Sequence, residues 1–259
     1  MVKLSVNLNK VALIRNSREG NCPDLVEHAR ICLRAGAHGI TVHPRPDQRH
    51  VRAADTLALS QISNVELNIE GNPFEVMRHS ERADVGDYPG FLPLVREVRP
   101  SQCTLVPDAS GQLTSDHGFD LRKDAEALAP IVAELKAAKI RVSLFVDAVP
   151  RQMAAAAALG ADRVELYTGP YAAARERGKP LEDALGPYVE CAQAARQAGL
   201  GLNAGHDLNL ENLADFAAAI PNLLEVSIGH ALVADALQMG MTAAVGAYLS
   251  CLKQPSAGA

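Results

Sequence analysis

Ala35-Gly36-Ala37-His38-Gly39-Ile40-Thr41-Val42-His43 is the stretch that decides the fold. Small residues around Gly36 stop a helix, because glycine accepts the left-handed backbone that ends one. A β-branched run follows at once and closes on a histidine. The same grammar recurs at Leu159-Gly160-Ala161, just ahead of Arg163-Val164-Glu165-Leu166-Tyr167-Thr168. A helix that turns within a few residues into a new strand is half of a parallel β/α unit.

Working outward, eight such units are expected. The strand candidates are 4–7, 39–43, 65–70, 103–107, 141–147, 163–168, 201–206 and 224–230, each followed by an Ala/Leu-rich amphipathic segment. Pro23-Asp24 opens the first of these helices by supplying a fixed φ and a side-chain cap. Eight units in 259 residues suit an α/β chain closed into a (β/α)8 TIM barrel, a fold of about 250 residues. An open doubly wound sheet is the alternative, but no GxGxxG fingerprint follows the first strand. Connections this short leave no room for a linker, so one domain is expected over 1–259, with 254–259 as a frayed tail. Asn72–Gly90 after the third strand and Asp108–Asp120 after the fourth break the repeat as elaborated loops. Loops of that length are usually lids or substrate-binding segments.

Composition excludes several classes. A net charge of −5 argues against a nucleic-acid surface, which needs clustered Lys and Arg. No apolar run is long enough to span a bilayer. Five widely spaced cysteines without a CxxC pair suggest neither a disulfide framework nor a structural zinc site, and fit a cytoplasmic protein. The start Met1-Val2-Lys3-Leu4 runs directly into a strand, so no signal peptide is expected.

In a β/α barrel the last residue of a strand stands at the mouth where chemistry occurs. That position is polar again and again: Asn7, His43, Glu70, Asp147, His206 and His230. Any one of them could be a local cap, but six are expected to converge. A His–Glu–His set suits repeated proton transfer, since neutral-pH acid–base work needs groups whose pKa can be tuned towards 7. Glu70 serves as a base only if it is desolvated or lies beside another acid. Glu165 alternates into the lumen, as a salt-bridge partner or as a stabiliser of a cationic intermediate. Beyond the second strand, Arg45, Arg49 and His50 can grip a phosphate, although a solvated basic turn reads the same way. Asn7 and Arg18 bracket a second anion patch. The turns Asn203-Ala204-Gly205-His206 and Ile228-Gly229-His230-Ala231 offer backbone N–H groups for another. A catalytic zinc on His43, Glu70, His206 and His230 lacks an HxH or HExxH pair to fix two ligands. No GxSxG motif or strand-end cysteine beside a histidine supports covalent catalysis.

Taken in order, these segments resemble the pyridoxine 5′-phosphate synthase family over essentially the whole chain. The likeness rests on Ser5-Val6-Asn7, Leu13 to Arg18, Ala35 to His43 with Arg45 and Arg49-His50, Asn68-Ile69-Glu70, Thr104 to Pro107, Val142 to Asp147, Asn203 to His206 and Ile228 to Ala231. It implies condensation of 3-amino-2-oxopropyl phosphate with 1-deoxy-D-xylulose 5-phosphate, without metal or organic cofactor, in a homo-octamer. By the same resemblance His43 and Glu70 are general bases, His206 is the general acid and Glu165 the transition-state stabiliser. Asn7, Arg18, Gly229 and His230 would hold the amino-ketone phosphate; Arg45, His50 and Thr114 the pentulose phosphate. The chain departs from the family at Asn9-Lys10, where Asp-His is common, and at Asp207, where Gly is usual. Asn9 cannot act as a base, Lys10 can still meet an anion, and Asp207 would use its backbone N–H. The competing readings are another phosphosugar isomerase or aldolase on this fold and a non-catalytic binding barrel. The strand ends carry no lysine for a Schiff base, and a binding barrel has no need of His and Glu on three strands.

Overall fold

The computed structural model describes residues 1–109 and 111–253, so the tail expected at 254–259 lies outside the described residues. Strands β1 (Lys3–Asn7), β2 (Gly39–Val42), β3 (Leu67–Gly71), β4 (Gln102–Leu105), β5 (Arg141–Val146), β6 (Arg163–Tyr167), β7 (Gly201–His206) and β8 (Leu223–Ile228) pair in sequence order. All pairs are parallel, and β8 returns to β1 through Leu4↔Val226 and Ser5↔Ser227, closing the expected barrel.

The helices are α1 (Asn9–Asn16), α2 (Leu25–Arg34), α3 (Ala53–Ser60), α4 (Phe91–Val98), α5 (Leu121–Ala137), α6 (Arg151–Ala158), α7 (Gly169–Glu176), α8 (Leu181–Gln197), α9 (Leu213–Ala219), α10 (His230–Met239) and α11 (Met241–Cys251). Asp24 caps α2 as its sequence suggests, accepting the Glu27 N–H at 2.9 Å. The helix expected first is nonetheless the second. Asn9–Asn16 already forms α1 directly after β1, a segment with no side-chain cap bond to announce it.

The pairing register separates two interiors. Leu4, Val6, Ile40, Val42, Ile69, Leu105, Leu144, Val146, Leu166 and Val226 point outward from the strands into the helical ring, and all are buried. The residues that alternate with them are mostly polar, with Phe145 of β5 an apolar exception at the mouth. Ser5 Oγ and Thr41 Oγ1 lie 2.7 Å apart, Asn68 Nδ2 donates to Thr41 Oγ1 at 3.4 Å, and Thr104 Oγ1 donates to Asn68 Oδ1 at 3.0 Å. Branched apolar side chains usually fill the lumen of this fold. Here hydroxyls, amides and carboxyls largely fill it, and the bonds among Ser5, Thr41, Asn68 and Thr104 offset part of the cost of burial. The apolar core is therefore a sleeve around the barrel.

At the N-terminal end of the barrel, ion pairs close the lumen. Glu66 meets Lys3 at 3.4 Å and also Arg141, while Arg163 meets Glu225 at 3.7 Å and donates to Asn203 Oδ1 at 3.2 Å. The other end is the mouth. A buried Arg15 fastens one side of it, donating to both carboxylate oxygens of Asp55 at 2.6 and 2.8 Å and to the His50 carbonyl at 3.0 Å. Asn16 Nδ2 donates to the same carbonyl at 2.7 Å.

Candidate active site

A cavity of about 360 Å³ opens at the C-terminal ends of the strands. Among the strand-end residues, Asn7, His43, Glu70, His206 and His230 line it. Asp147 does not: it follows β5 and its carboxylate accepts the Gly118 N–H at 3.0 Å, holding the end of the β4 loop. Gly118 packs so closely that an added Cβ would lie 2.3 Å from the Val146 Cα, so glycine is required there. Asn9, Lys10, Arg45, Arg49, His50, Thr114, Glu165, Asp207 and Gly229 complete most of the wall. Arg18 stands apart, exposed just beyond α1.

A chain of hydrogen bonds sets the first wall. Asn7 Nδ2 donates to Glu70 Oε2 at 3.4 Å, and Asn7 Oδ1 accepts the Asn9 backbone N–H at 2.9 Å. The Asn9 side-chain oxygen then accepts the His43 N–H at 2.9 Å. Gly229 comes so near Asn7 that an added Cβ would sit 3.0 Å from the Asn7 Cβ, which is why the turn after β8 is built without a side chain. His230 begins α10, so the positive end of that helix faces the cavity.

The second wall is basic. Arg45 is buried and paired with Asp108, whose Oδ2 also accepts the Ser115 hydroxyl at 2.7 Å and lies 4.0 Å from His43 Nε2. Arg49 donates to the carbonyls of Gln112 and, at 3.0 Å, Leu113, so it pins the β4 loop across the mouth. His50 Nδ1 accepts the Val51 N–H at 2.8 Å, leaving its proton on Nε2. Burial and then Arg45, Arg49 and Lys10 push the His50 pKa down to about 3, so the ring is a neutral donor. Burial, followed by Arg45, His50, Arg49 and His206, holds His43 well below its ordinary value and keeps it free to accept a proton.

The acids shift the opposite way. Burial, then Glu165, Asp108 and Glu225, raises Glu70 well above the ordinary carboxyl range. Burial and then Glu225 push Glu165 up to about 8. Both acids are thus shifted towards their protonated forms, and positive charge entering beside them favours ionisation. Gly205 leaves Glu165 its room, because a Cβ there would lie 2.9 Å from Glu165 Oε1.

His206 ends β7 with φ at +85°, a left-handed backbone that a histidine adopts only when its surroundings impose it. Thr114 Oγ1 lies 2.7 Å from its Nε2 and Asp207 Oδ2 lies 2.8 Å from its Nδ1. The Tyr167 ring stands edge-on to it, 5.6 Å between centroids.

Of the two long loops, only the one after β4 supplies the cavity, through Leu113, Thr114 and Ser115. The loop over 72–90 lies beside it, with Gln48 Nε2 bonded to the Gly86 carbonyl at 2.7 Å and an antiparallel bridge between Arg78 and Tyr88. Asp108, Ser115 and Tyr167 are site residues that no motif flags. Tyr167 ends β6, Asp108 lies three residues past β4 and Ser115 stands in the loop beyond it, and only the fold brings them in. Among the described residues no three His, Cys, Asp or Glu groups converge as a metal-binding set. No helix among them is long and apolar enough to cross a membrane.

Residues 4–254 match the family of the pyridoxal phosphate biosynthesis protein PdxJ. The chain is 56% identical over 261 residues to a pyridoxine 5′-phosphate synthase of Xanthomonas oryzae pv. oryzae (strain MAFF 311018), covering 100% of this chain and 99% of the relative. It is 50% identical over 254 residues to the synthase of that name from Xylella fastidiosa (strain 9a5c), covering 96% and 94%. Among solved structures it is similar to Mycobacterium tuberculosis tryptophan synthase, with a TM-score of 0.64 at 14% identity over 98% of this chain and 93% of the other. Phosphoribosylanthranilate isomerase from Thermotoga maritima gives a TM-score of 0.55 at 14% identity over 98% and 99%. Likeness at that identity speaks for the fold alone.

Proposed function

The chain belongs to the PdxJ family of pyridoxal phosphate biosynthesis proteins, and we propose that its mouth is where 3-amino-2-oxopropyl phosphate and 1-deoxy-D-xylulose 5-phosphate are condensed to pyridoxine 5′-phosphate, phosphate and water. The activity is that of a pyridoxine 5′-phosphate synthase, the name shared by relatives 50% to 58% identical to the chain. The observation that carries the reading is the meeting of His43, Glu70, Glu165 and His206 in one cavity between two anion-binding walls.

Amine attack on a ketone, loss of water, elimination of phosphate and ring closure each move protons. Positioned acids and bases contribute about 10²- to 10⁴-fold to such steps. His43, held neutral, takes protons as a base, and Glu70 does so once nearby positive charge favours its ionised form and its own proton has passed to His43 or water. His206 gives protons as the general acid. Glu165 ionises as positive charge develops above it and stabilises that charge. Asn7, Gly229 and His230 hold the amino-ketone phosphate at the start of α10. Arg45, His50 and Thr114 hold the pentulose phosphate, and Arg45 exchanges Asp108 for it. Lys10 adds a cation to that side, Asn9 keeps His43 in place, and Asp207 offers its backbone N–H. Fixing both substrates by their phosphates turns the joining step into an effectively intramolecular one.

Arg18, exposed beyond α1, reaches ligand across a subunit boundary in a homo-octamer. Exposed Leu13 and Ile14 on α1 and Leu237 and Met239 on α10 support association at that side. Five free cysteines suit a cytoplasmic setting.

Purified protein given both substrates and no added metal is expected to release one phosphate for each pyridoxine 5′-phosphate formed. Folded protein that consumes neither substrate overturns the assignment.

A further inference from the structure

We propose that Asp207 is a positioning residue for His206: its carboxylate takes the Nδ1 proton and leaves Nε2 as the nitrogen that trades protons with substrate. The inference rests on the reading of His206 as a proton-transfer group and assigns a task to a side chain that reading leaves idle.

The geometry points to it from three sides. Asp207 Oδ2 lies 2.8 Å from Nδ1, and an ionised carboxylate can only accept, so the shared proton belongs to the ring nitrogen. Nε2 is turned the other way, towards the cavity, where the Thr114 hydroxyl lies 2.7 Å from it. With Nδ1 protonated, the neutral ring presents a lone pair at Nε2, to which the Thr114 hydroxyl donates; when that nitrogen has taken up a proton from substrate, the imidazolium, held by the Asp207 carboxylate, gives it back there as the general acid. The ring plane is set by Tyr167, edge-on at 5.6 Å between centroids. The Asp207 backbone is itself held, since Asn212 Nδ2 donates to its carbonyl at 3.2 Å.

His206 is the last paired residue of β7, opposite Ile228, and its left-handed backbone turns the imidazole out at the rim, where its rotation is set by the side chains that touch it. Without the carboxylate, either nitrogen can face the cavity and either tautomer can form. In acid–base catalysis the wrong tautomer presents a proton where a lone pair is required, or the reverse. The pair is partly exposed, with side-chain accessibilities of 25% for His206 and 42% for Asp207, so solvent screens it and a moderate effect follows.

The test is steady-state kinetics of Asp207→Asn and Asp207→Glu, alone and in a His206→Asn background, with ¹⁵N NMR of the ring nitrogens. Asp207→Asn is expected to lower kcat about 10- to 100-fold, the usual scale for a group that orients a reacting imidazole. KM for both substrates should change less than about threefold, and Asp207→Glu should recover part of kcat, because a carboxylate alone, not its length, selects the tautomer. In the His206→Asn background Asp207→Asn should add less than about twofold, since residues that act as one unit are non-additive. The NMR spectrum should show the proton on Nδ1 in the native protein and a shift of population to Nε2 in Asp207→Asn.

Unchanged kcat in Asp207→Asn, with His206→Asn inactive, overturns the pairing and leaves the active-site reading intact. A loss that falls on KM and persists without His206 makes Asp207 a direct substrate ligand and also overturns it. Full activity in His206→Asn defeats the reading of His206 itself, and this inference with it.

Discussion

The Asn9 side-chain oxygen accepts the His43 backbone N–H at 2.9 Å, tying the start of α1 to the end of β2. The atom that does the holding is a side-chain oxygen, which an aspartate at this position would also supply. Asn9→Asp is expected to keep kcat within about threefold, whereas Asn9→Leu leaves a partly buried N–H unpaired and should lower kcat about tenfold, in line with a loss of 1–3 kcal/mol. Equal kcat for both variants would disconnect Asn9 from the placement of His43.

His43→Ala is expected to cut turnover about 10²- to 10⁴-fold, the usual contribution of a positioned base. Substrate dissociation constants from equilibrium titration should survive. Undiminished turnover removes His43 from proton transfer.

The Arg49 guanidinium holds the Gln112 and Leu113 carbonyls, so the β4 loop is latched by a residue that also lines the cavity. Arg49→Met should speed proteolytic nicking between 111 and 117 about tenfold, the change that losing about 1.4 kcal/mol of charge-assisted bonding brings to the open population. A nicking rate equal to that of the native protein would show that the loop is held elsewhere.

Arg15 and Asp55 form a buried bidentate pair, with side-chain accessibilities of 1% and 13%. Removing one partner strands the other, so Arg15→Met should cost about 3–5 kcal/mol in urea unfolding. Arg15→Met with Asp55→Leu should cost less than the sum of the single changes. Simple additivity would contradict a paired charge.

Glu165 and His50 pull stability in opposite directions as pH changes. Glu165 is raised from 4.5 to about 8, so between those values the folded chain holds a proton that the unfolded chain has lost, and stability falls as pH rises. His50 is lowered from 6.5 to about 3, so between those values the unfolded chain holds the extra proton and stability rises with pH. The two effects oppose each other from 4.5 to 6.5. From 6.5 to 8 the Glu165 effect stands without that opposition, at up to about 1.4 kcal/mol per pH unit. Urea midpoints should therefore decline over that interval, and Glu165→Gln should flatten the decline. Parallel declines in both proteins would refute the assignment.

The barrel is legible in the sequence because its grammar is local: Gly36 and Gly160 end helices, and the β-branched runs after them begin strands. Strand bounds shift by no more than two residues between expectation and structure. Asn7 and His206 end their strands, His43 follows β2, Glu70 is next to last in β3 and His230 opens α10 just past β8; all are legible at the mouth because they lie at or beside a C-terminal strand end. Asp147 occupies the same position on β5 and serves the loop instead, which only the Gly118 N–H beside it reveals. Thr114 and His206 are 92 residues apart, and no local pattern predicts that they touch. Asp108 is a single acid two residues past β4's last neighbour, Val106, with no spacing that sets it apart from a turn residue. Helix α1 is obscured because its amphipathic character is weak and its N-cap residue, Leu8, has no side chain that can cap it.

The hydroxyls and amides that fill the lumen divide the molecule's thermodynamics from its chemistry. Heat-capacity change and denaturant response follow apolar exposure, so both report on the sleeve outside the strands. Exchanging one small polar group inside for another, such as Ser143 or Ser227, can then retune proton affinities in the reaction chamber while the calorimetric signature of the chain stays as it was.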